Sequence, residues 1–206
     1  MTRFGLAINT GRCIGCHTCA NACKMQNNVP MGMLWNRVLT EGCDIVDGAV
    51  GQYPNVSRAY LPVACQHCEN PACLRVCPTG ATYKDEKGRV EIAYDKCIGC
   101  RTCMAACPYN ARVFNWNEPR RDPDFNYGDK DVPVRGKGVV EKCTLCKERT
   151  DRGDIPMCVR VCPGRARVYG DLDDPESEIS KVVRENHAYQ LLEEFGTRPQ
   201  LRYYNA

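Results

Sequence analysis

The chain is short of the residues that build an ordinary hydrophobic core. Phe, Leu, Ile and Val together number 39 of 206 residues, about 19%, a level that borders on intrinsic disorder. Disorder also needs a high net charge, and the formal value is only +3, so that reading lacks its second condition. No apolar run approaches the ~18 residues of a membrane-crossing helix, which argues against a direct membrane span. An export signal is equally hard to find. Phe4 to Ile8 is too short for an apolar signal core. Arg120-Arg121 looks like a twin-arginine pair but lies mid-chain with no apolar stretch after it. Histidine is scarce, with three residues, and neither a nucleophile–base pair nor a phosphate-binding glycine loop occurs. The sequence offers no catalytic constellation.

Cysteine is what the chain has in excess. Sixteen of its seventeen cysteines fall into four groups of four. Run one is Cys13, Cys16, Cys19 and Cys23. Run two is Cys65, Cys68, Cys73 and Cys77, followed by Pro78. Run three is Cys97, Cys100, Cys103 and Cys107, followed by Pro108. Run four is Cys143, Cys146, Cys158 and Cys162, followed by Pro163. Runs one and three have the C-x2-C-x2-C-x3-C spacing of two-cluster ferredoxins, in which three thiolates wrap one cubane and the fourth serves its neighbour. Four such runs predict four 4Fe–4S clusters, a path for electrons.

Rival uses of cysteine fit less well. Disulfides suit neither an odd total nor three cysteines crowded into seven residues, and cleaving a leader would endanger Cys13. Zinc ribbons pair two C-x2-C knuckles, whereas here a third cysteine follows each knuckle and C-P recurs. A Rieske centre needs histidine ligands; Cys65-Gln66-His67 has half of that look, but Cys68 follows directly and no C-x2-H partner exists.

Clusters also resolve the thin core, because metal–thiolate bonds form only in the folded chain and their free energy becomes folding free energy. They change the charge as well. Each oxidised cluster with four thiolates carries about −2, which takes the formal +3 to roughly −5 (3 minus 8). Nucleic acid is therefore a poor partner for the 28 Lys and Arg. Lys24, Arg75, Arg101, Lys142, Lys147 and Arg160, all close in sequence to cysteines of the runs, are expected to offset cluster charge and raise reduction potentials.

An internal repeat organises the chain. Residues 13–23 and 97–107 match at eight of eleven positions, and C-P-x-x-A occurs at Cys77–Ala81, Cys107–Ala111 and Cys162–Ala166. Each copy leads into a β-prone stretch: Thr82-Tyr83, Arg112-Val113-Phe114 and Arg167-Val168-Tyr169. The expected unit is a loop with three ligands, a short helix carrying the fourth and ended by proline, a turn and a strand. Gly15 and Gly99 are expected to let backbone approach the clusters and turn N–H groups toward sulfur.

Because the fourth cysteine serves another cluster, runs must pair. The preferred pairing joins runs two and three as an inner module and runs one and four as an outer one. The ligand sets are then Cys13, Cys16, Cys19 and Cys162 (a); Cys143, Cys146, Cys158 and Cys23 (b); Cys65, Cys68, Cys73 and Cys107 (c); Cys97, Cys100, Cys103 and Cys77 (d). Spacing alone leaves open the other pairing, one with two and three with four. The expected fold is α+β. Two ferredoxin-like modules span 1–57 with 116–172 (outer) and 58–115 (inner, inserted in the outer), with long loops and a C-terminal extension over 173–206 that packs on the modules or a partner.

The remaining segments carry no ligands. Extended pieces are expected around Leu34–Leu39 and Ala59–Val63, near Trp35. Residues 115–138, with Trp116, Phe125 and Tyr127, read as a docking loop. The tail predicts a helix capped by Asp174, with Pro175 first, an apolar face of Ile179, Val182 and Val183, and a stop at Asn186; residues 188–206 read as extended. His17 and His67 lie between ligands and are expected to support them by hydrogen bonding. His187 reads as surface, and Cys43 as a spare thiol.

These runs resemble those of the iron–sulfur electron-transfer subunits of molybdopterin oxidoreductases, the group that includes dimethyl sulfoxide, polysulfide, tetrathionate and arsenate reductases. The most specific stretches are CQHCENPACLRVCP from Cys65, KCTLCKERTDRGDIPMCVRVCP from Lys142, and the tail ARVYGDLDDPESEIS. The resemblance spans nearly the whole chain and agrees with the preferred pairing. Some relatives replace a cysteine of the third run, but here all four are present, implying four 4Fe–4S clusters. It further implies a non-catalytic subunit that relays electrons between a large molybdenum or tungsten bis-pterin subunit and a quinol-linked membrane anchor or soluble donor. Relatives without a signal are often exported with a partner that has one, so either side of the membrane stays open. A relay subunit of a hydrogenase or formate dehydrogenase shares the cysteine pattern, although a longer C-terminal extension would be expected there. A free polyferredoxin would have little use for the long segments without ligands.

Overall fold

The computed structural model describes residues 2–119 and 128–206. Its elements are short and their order alternates, which gives an α+β chain. The strands are β1 (Phe4–Asn9), β2 (Arg37–Thr40), β3 (Val50–Gln52), β4 (Asn55–Ser57), β5 (Tyr60–Val63), β6 (Thr82–Lys84), β7 (Val90–Ile92), β8 (Val113–Phe114), β9 (Val140–Glu141), β10 (Arg167–Asp171) and β11 (Leu201–Tyr204). The α-helices are α1 (Thr18–Gln26), α2 (Ala72–Arg75), α3 (Thr102–Ala105), α4 (Lys147–Asp151), α5 (Met157–Arg160) and α6 (Glu178–Glu185).

The largest sheet has the order β10-β1-β11. β1 runs antiparallel to β10, with Leu6 opposite Tyr169, and parallel to β11, with Leu6 opposite Leu201. Leu6, Ala7, Ile8, Leu201 and Tyr203 are all buried. The expected extended stretch 188–206 thus includes a strand of the chain's own central sheet. α6 covers β10 closely: a Cβ on Gly170 would stand 2.9 Å from Ile179 Cγ2. The extended pieces around Trp35 and Ala59 become β2 and β5, paired antiparallel.

Two local expectations are corrected. The short helix of runs two, three and four carries the third cysteine (Cys73, Cys103, Cys158), and the fourth falls in the turn beyond it. The proline that follows keeps its preceding residue out of the α region and so stops the helix early. Run one has Lys24 where the others have proline; its helix runs on to Gln26 and holds both Cys19 and Cys23. In the tail, Ser177 caps α6 in place of Asp174, accepting from the Ser180 N–H. Asp174 spends its carboxylate on the Glu176 N–H, so the helix starts three residues later than its composition suggests. Asn186 ends it as expected.

α1 packs on α5, and α2 on α3. Helices of runs one and four are therefore neighbours, as are those of runs two and three. Among the described residues no helix is long and apolar enough to cross a membrane.

Candidate metal centres

The repeat sets the local backbone. Gly15 (φ 69°) and His17 (φ 55°) in run one, and Gly99 (φ 68°) and Arg101 (φ 62°) in run three, all take the left-handed conformation. The glycines are needed for a reason the sequence did not supply. A Cβ on Gly15 would sit 2.2 Å from Tyr60 Cζ, and one on Gly99 2.3 Å from the Gly138 carbonyl oxygen. Neighbouring chain fills that space. The Gly15 N–H does turn to the Cys13 thiol, and N–H groups of Thr82, Leu145 and Ala166 reach Cys77 (3.4 Å), Cys143 (3.4 Å) and Cys162 (3.3 Å).

Thiols gather in four places. Cys13, Cys16, Cys19 and Cys162 line one cavity, with Arg167 in its wall. Cys77, Cys97, Cys100 and Cys103 line a second, with Arg112 in its wall. Burial drives the Cys23 thiol far above its usual pKa, and Cys143, Cys146 and Cys158 beside it push the same way. Cys68 is pushed up to about 12, first by burial and then by Cys65, with Cys73 and Cys107 adding to it against a hydrogen bond from Thr197. Among the described residues no three His, Cys, Asp or Glu side chains close on a single point able to hold one ion. Thiols ringing a cavity suit a polynuclear cluster better than the tight tetrahedron of zinc.

The donor chemistry fits 4Fe–4S. Four buried thiolates repel one another and resist ionising, so they need positive charge among them, and a bound metal centre deprotonates its thiols outright. At the two surface-facing ends ionisation is easier. A hydrogen bond from Thr18 lowers Cys16, and one from Thr102 lowers Cys100. These two are the exposed cysteines of the runs.

The basic residues singled out from sequence do various things. Lys24 donates to the carbonyls of Val29 (3.2 Å), Pro30 (2.5 Å) and Met33 (3.1 Å), a loop staple. Arg75 bonds Asn70, and Arg160 pairs with Asp154 on the surface. Arg101 lies 4.4 Å over the Trp116 ring. Lys147 lines a separate polar cavity. Only Lys142 is buried, donating to the carbonyls of Val90 and Cys143; burial raises the Cys65 thiol, and the Lys142 charge pulls against it. Among the described residues the buried cations that touch thiols are two others, Arg112 and Arg167. Their shared place, directly after C-P-x-x-A in runs three and four, was the available signal.

His67 is fully buried, its Nδ1 accepting from the Val90 N–H at 3.1 Å. Burial, then the charges of Lys142 and Arg89, push its pKa well down and keep it neutral. His17 is half-buried in the wall of the first cavity, 3.9 Å from Asp47. His187 is exposed, and Cys43 stands apart as a free thiol. Trp116 is exposed as expected of a docking loop; Arg120, Arg121, Phe125 and Tyr127 lie outside the described residues.

Fold and thiol geometry together define a ferredoxin-like 4Fe–4S protein. Family comparison agrees: a 4Fe–4S dicluster domain matches residues 56–121 and 131–172, and a 4Fe–4S binding domain matches residues 6–26. A Halobacterium salinarum protein, named as a dimethyl sulfoxide reductase iron–sulfur subunit, is 54% identical over all of this chain and 80% of its own. A subunit of the selenate reductase of Mesobacillus selenatarsenatis is 39% identical over 96% of this chain and 70% of its own. The iron–sulfur subunit of the Shewanella arsenate respiratory reductase is 36% identical over 98% and 95%. The chain belongs to the family of iron–sulfur electron-transfer subunits of molybdopterin oxidoreductases.

Proposed function

We propose that the sixteen cysteines of the four runs hold four 4Fe–4S clusters in the sets a, b, c and d, in an inner module (58–115) inserted into an outer one (1–57 with 116–172), with 173–206 as an extension. Such clusters, when bound, accept and pass on single electrons. The chain's own part is to hold them in line, keep water out and set their potentials.

The observation that carries this reading is how the thiol sets share buried cores. Cys13 and Cys19 of set a meet Cys158 of set b in one core. Cys23 and Cys143 of set b meet Cys65, Cys68 and Cys107 of set c in another. Cys73 of set c meets Cys97 and Cys103 of set d in a third. The path then runs a–b–c–d, and its two ends carry the exposed thiols Cys16 and Cys100 beside the exposed apolar residues Ile14 and Ile98. Electrons enter at one end and leave at the other.

An apolar contact at each end suits partner proteins. The partners are a large molybdopterin catalytic subunit, with molybdenum or tungsten, and a quinol-linked anchor or soluble donor. The test is an anaerobic native pull-down with mass spectrometry and metal analysis. A large co-eluting subunit carrying molybdenum or tungsten is the expected result. Iron and sulfide alone, at roughly sixteen each, would make the protein a free polyferredoxin.

A further inference from the structure

Among the described residues four arginines are nearly fully buried: Arg89, Arg112, Arg135 and Arg167, at 2%, 3%, 1% and 5% exposure. A buried guanidinium needs an anion. Arg89 has Asp85 and Asp151, and Arg135 has Glu141. Among the described residues Arg112 and Arg167 have no carboxylate, and their negative neighbours are thiolates.

The two are equivalent. Each follows C-P-x-x-A, in run three and run four. Arg167 Nη2 lies 3.3 Å from Cys19 Sγ of set a; burial raises the Cys158 thiol of set b, and the nearby Arg167 charge pulls against it. Arg112 Nη2 lies 3.0 Å from Cys73 Sγ of set c, and Arg112 also lines the cavity ringed by Cys77, Cys97, Cys100 and Cys103 of set d. A neutral oxygen steadies each fork: Asn36 Oδ1 accepts from Arg167 at 3.3 Å, and Thr82 Oγ1 accepts from Arg112 at 3.2 Å. Thr82 itself stands directly after the C-P-x-x-A of run two, where the other copies have arginine. Each module therefore holds one such cation, placed where its two thiol sets meet.

We propose that Arg167 is a positioning residue shared by the clusters of sets a and b, and Arg112 one shared by those of c and d, each raising two reduction potentials together. This rests on the ligand sets proposed above. A cubane with four thiolates carries about −2 oxidised and about −3 after taking up one electron. A fixed positive charge that donates to a sulfur of one cluster and lies close to the other stabilises the added electron on either one.

The experiment is an anaerobic redox titration of the full iron-loaded chain, followed by electron paramagnetic resonance, with iron and sulfide counted. The variants are Arg167→Met, Arg112→Met and the charge-keeping Arg167→Lys and Arg112→Lys. Signals are assigned to sets by single Cys→Ser variants. Arg167→Met is expected to move the a and b potentials downward and leave c and d in place, and Arg112→Met the reverse. A lysine has one ammonium instead of a fork, so the lysine variants are expected to fall between wild type and methionine, again in pairs. If a methionine variant fails to take up iron, its lysine counterpart carries the same test. Unmoved potentials, movement of a single cluster, or movement of all four would overturn the inference. A wild-type protein without four cluster signals would instead overturn the ligand sets, so the two failures are distinguishable.

Discussion

Arg135 and Glu141 meet in full burial, Nη2 donating to Oε2 at 3.3 Å with 1% and 0% of their side chains exposed. Trp35 Nε1 (3.2 Å) and Asn115 Nδ2 (2.6 Å) donate to the same carboxylate. One acid thus ties the segment around Trp35 to the stretch that follows run three and to the entry into run four. Glu141→Ala would leave a buried guanidinium without its acid, a loss on the order of 3–5 kcal/mol. Anaerobic thermal unfolding of the loaded protein should show a midpoint lower by roughly 10 °C or more. A variant within a degree or two of wild type would mean the pair contributes nothing net.

Glu91 sets a pH dependence. It borders a polar cavity with Tyr94, Arg135, Lys147 and Glu148, and among the described residues its Oε1 has no hydrogen-bond partner. Burial raises its pKa to about 7, against the pull of Lys142, Lys147 and Arg89 and with a small push from Asp85. A carboxyl group whose folded pKa lies above its unfolded value costs nothing while both states are protonated. Stability then falls as pH rises from about 4.5 to about 7, by on the order of 3 kcal/mol, and stays lower above that. Glu91→Gln should remove this slope and be the more stable form at pH 8. Equal slopes in wild type and variant would assign the pH dependence elsewhere.

Removing the clusters should undo most of the structure. Among the described residues, three of the four buried cores include cysteines of the runs; the fourth, around Ala7, Ile179 and Tyr204, does not. Chelator-stripped anaerobic protein is expected to lose most of its far-ultraviolet circular dichroism. A native spectrum in the apo form would show that the protein core suffices alone.

Cys43 belongs to none of the four thiol groups; its sulfur is packed where a Cβ on Gly48 would come within 2.3 Å. Cys43→Ser should keep the full iron and sulfide content and the same resonance signals. Loss of any iron would give this thiol a role in the clusters.

Much of the molecule was legible because cysteine spacing is a strong constraint, and the β-prone stretches after each C-P-x-x-A did become β6, β8 and β10. What sequence missed was long-range. Gly15 and Gly99 read as making room for clusters, yet their neighbours are Tyr60 and the Gly138 carbonyl, residues far along the chain. Arg112 and Arg167 read as the first residues of strands, and their shared place after C-P-x-x-A was the one hint that they turn inward onto sulfur. Lys24 and Arg101, next to cysteines in sequence, turned away to carbonyls and an indole ring. Proximity along the chain was a poor guide to where a charged side chain ends.

The central sheet has a consequence in time. β1 is made long before its partners β10 and β11, and Leu201 and Tyr203 seal the core that holds Cys19 and Cys158. While the chain is still on the ribosome, the thiols of run one have no wall behind them. Residues 201–204 must emerge before that core can close. The core around Cys19 and Cys158 therefore closes only at the end of synthesis.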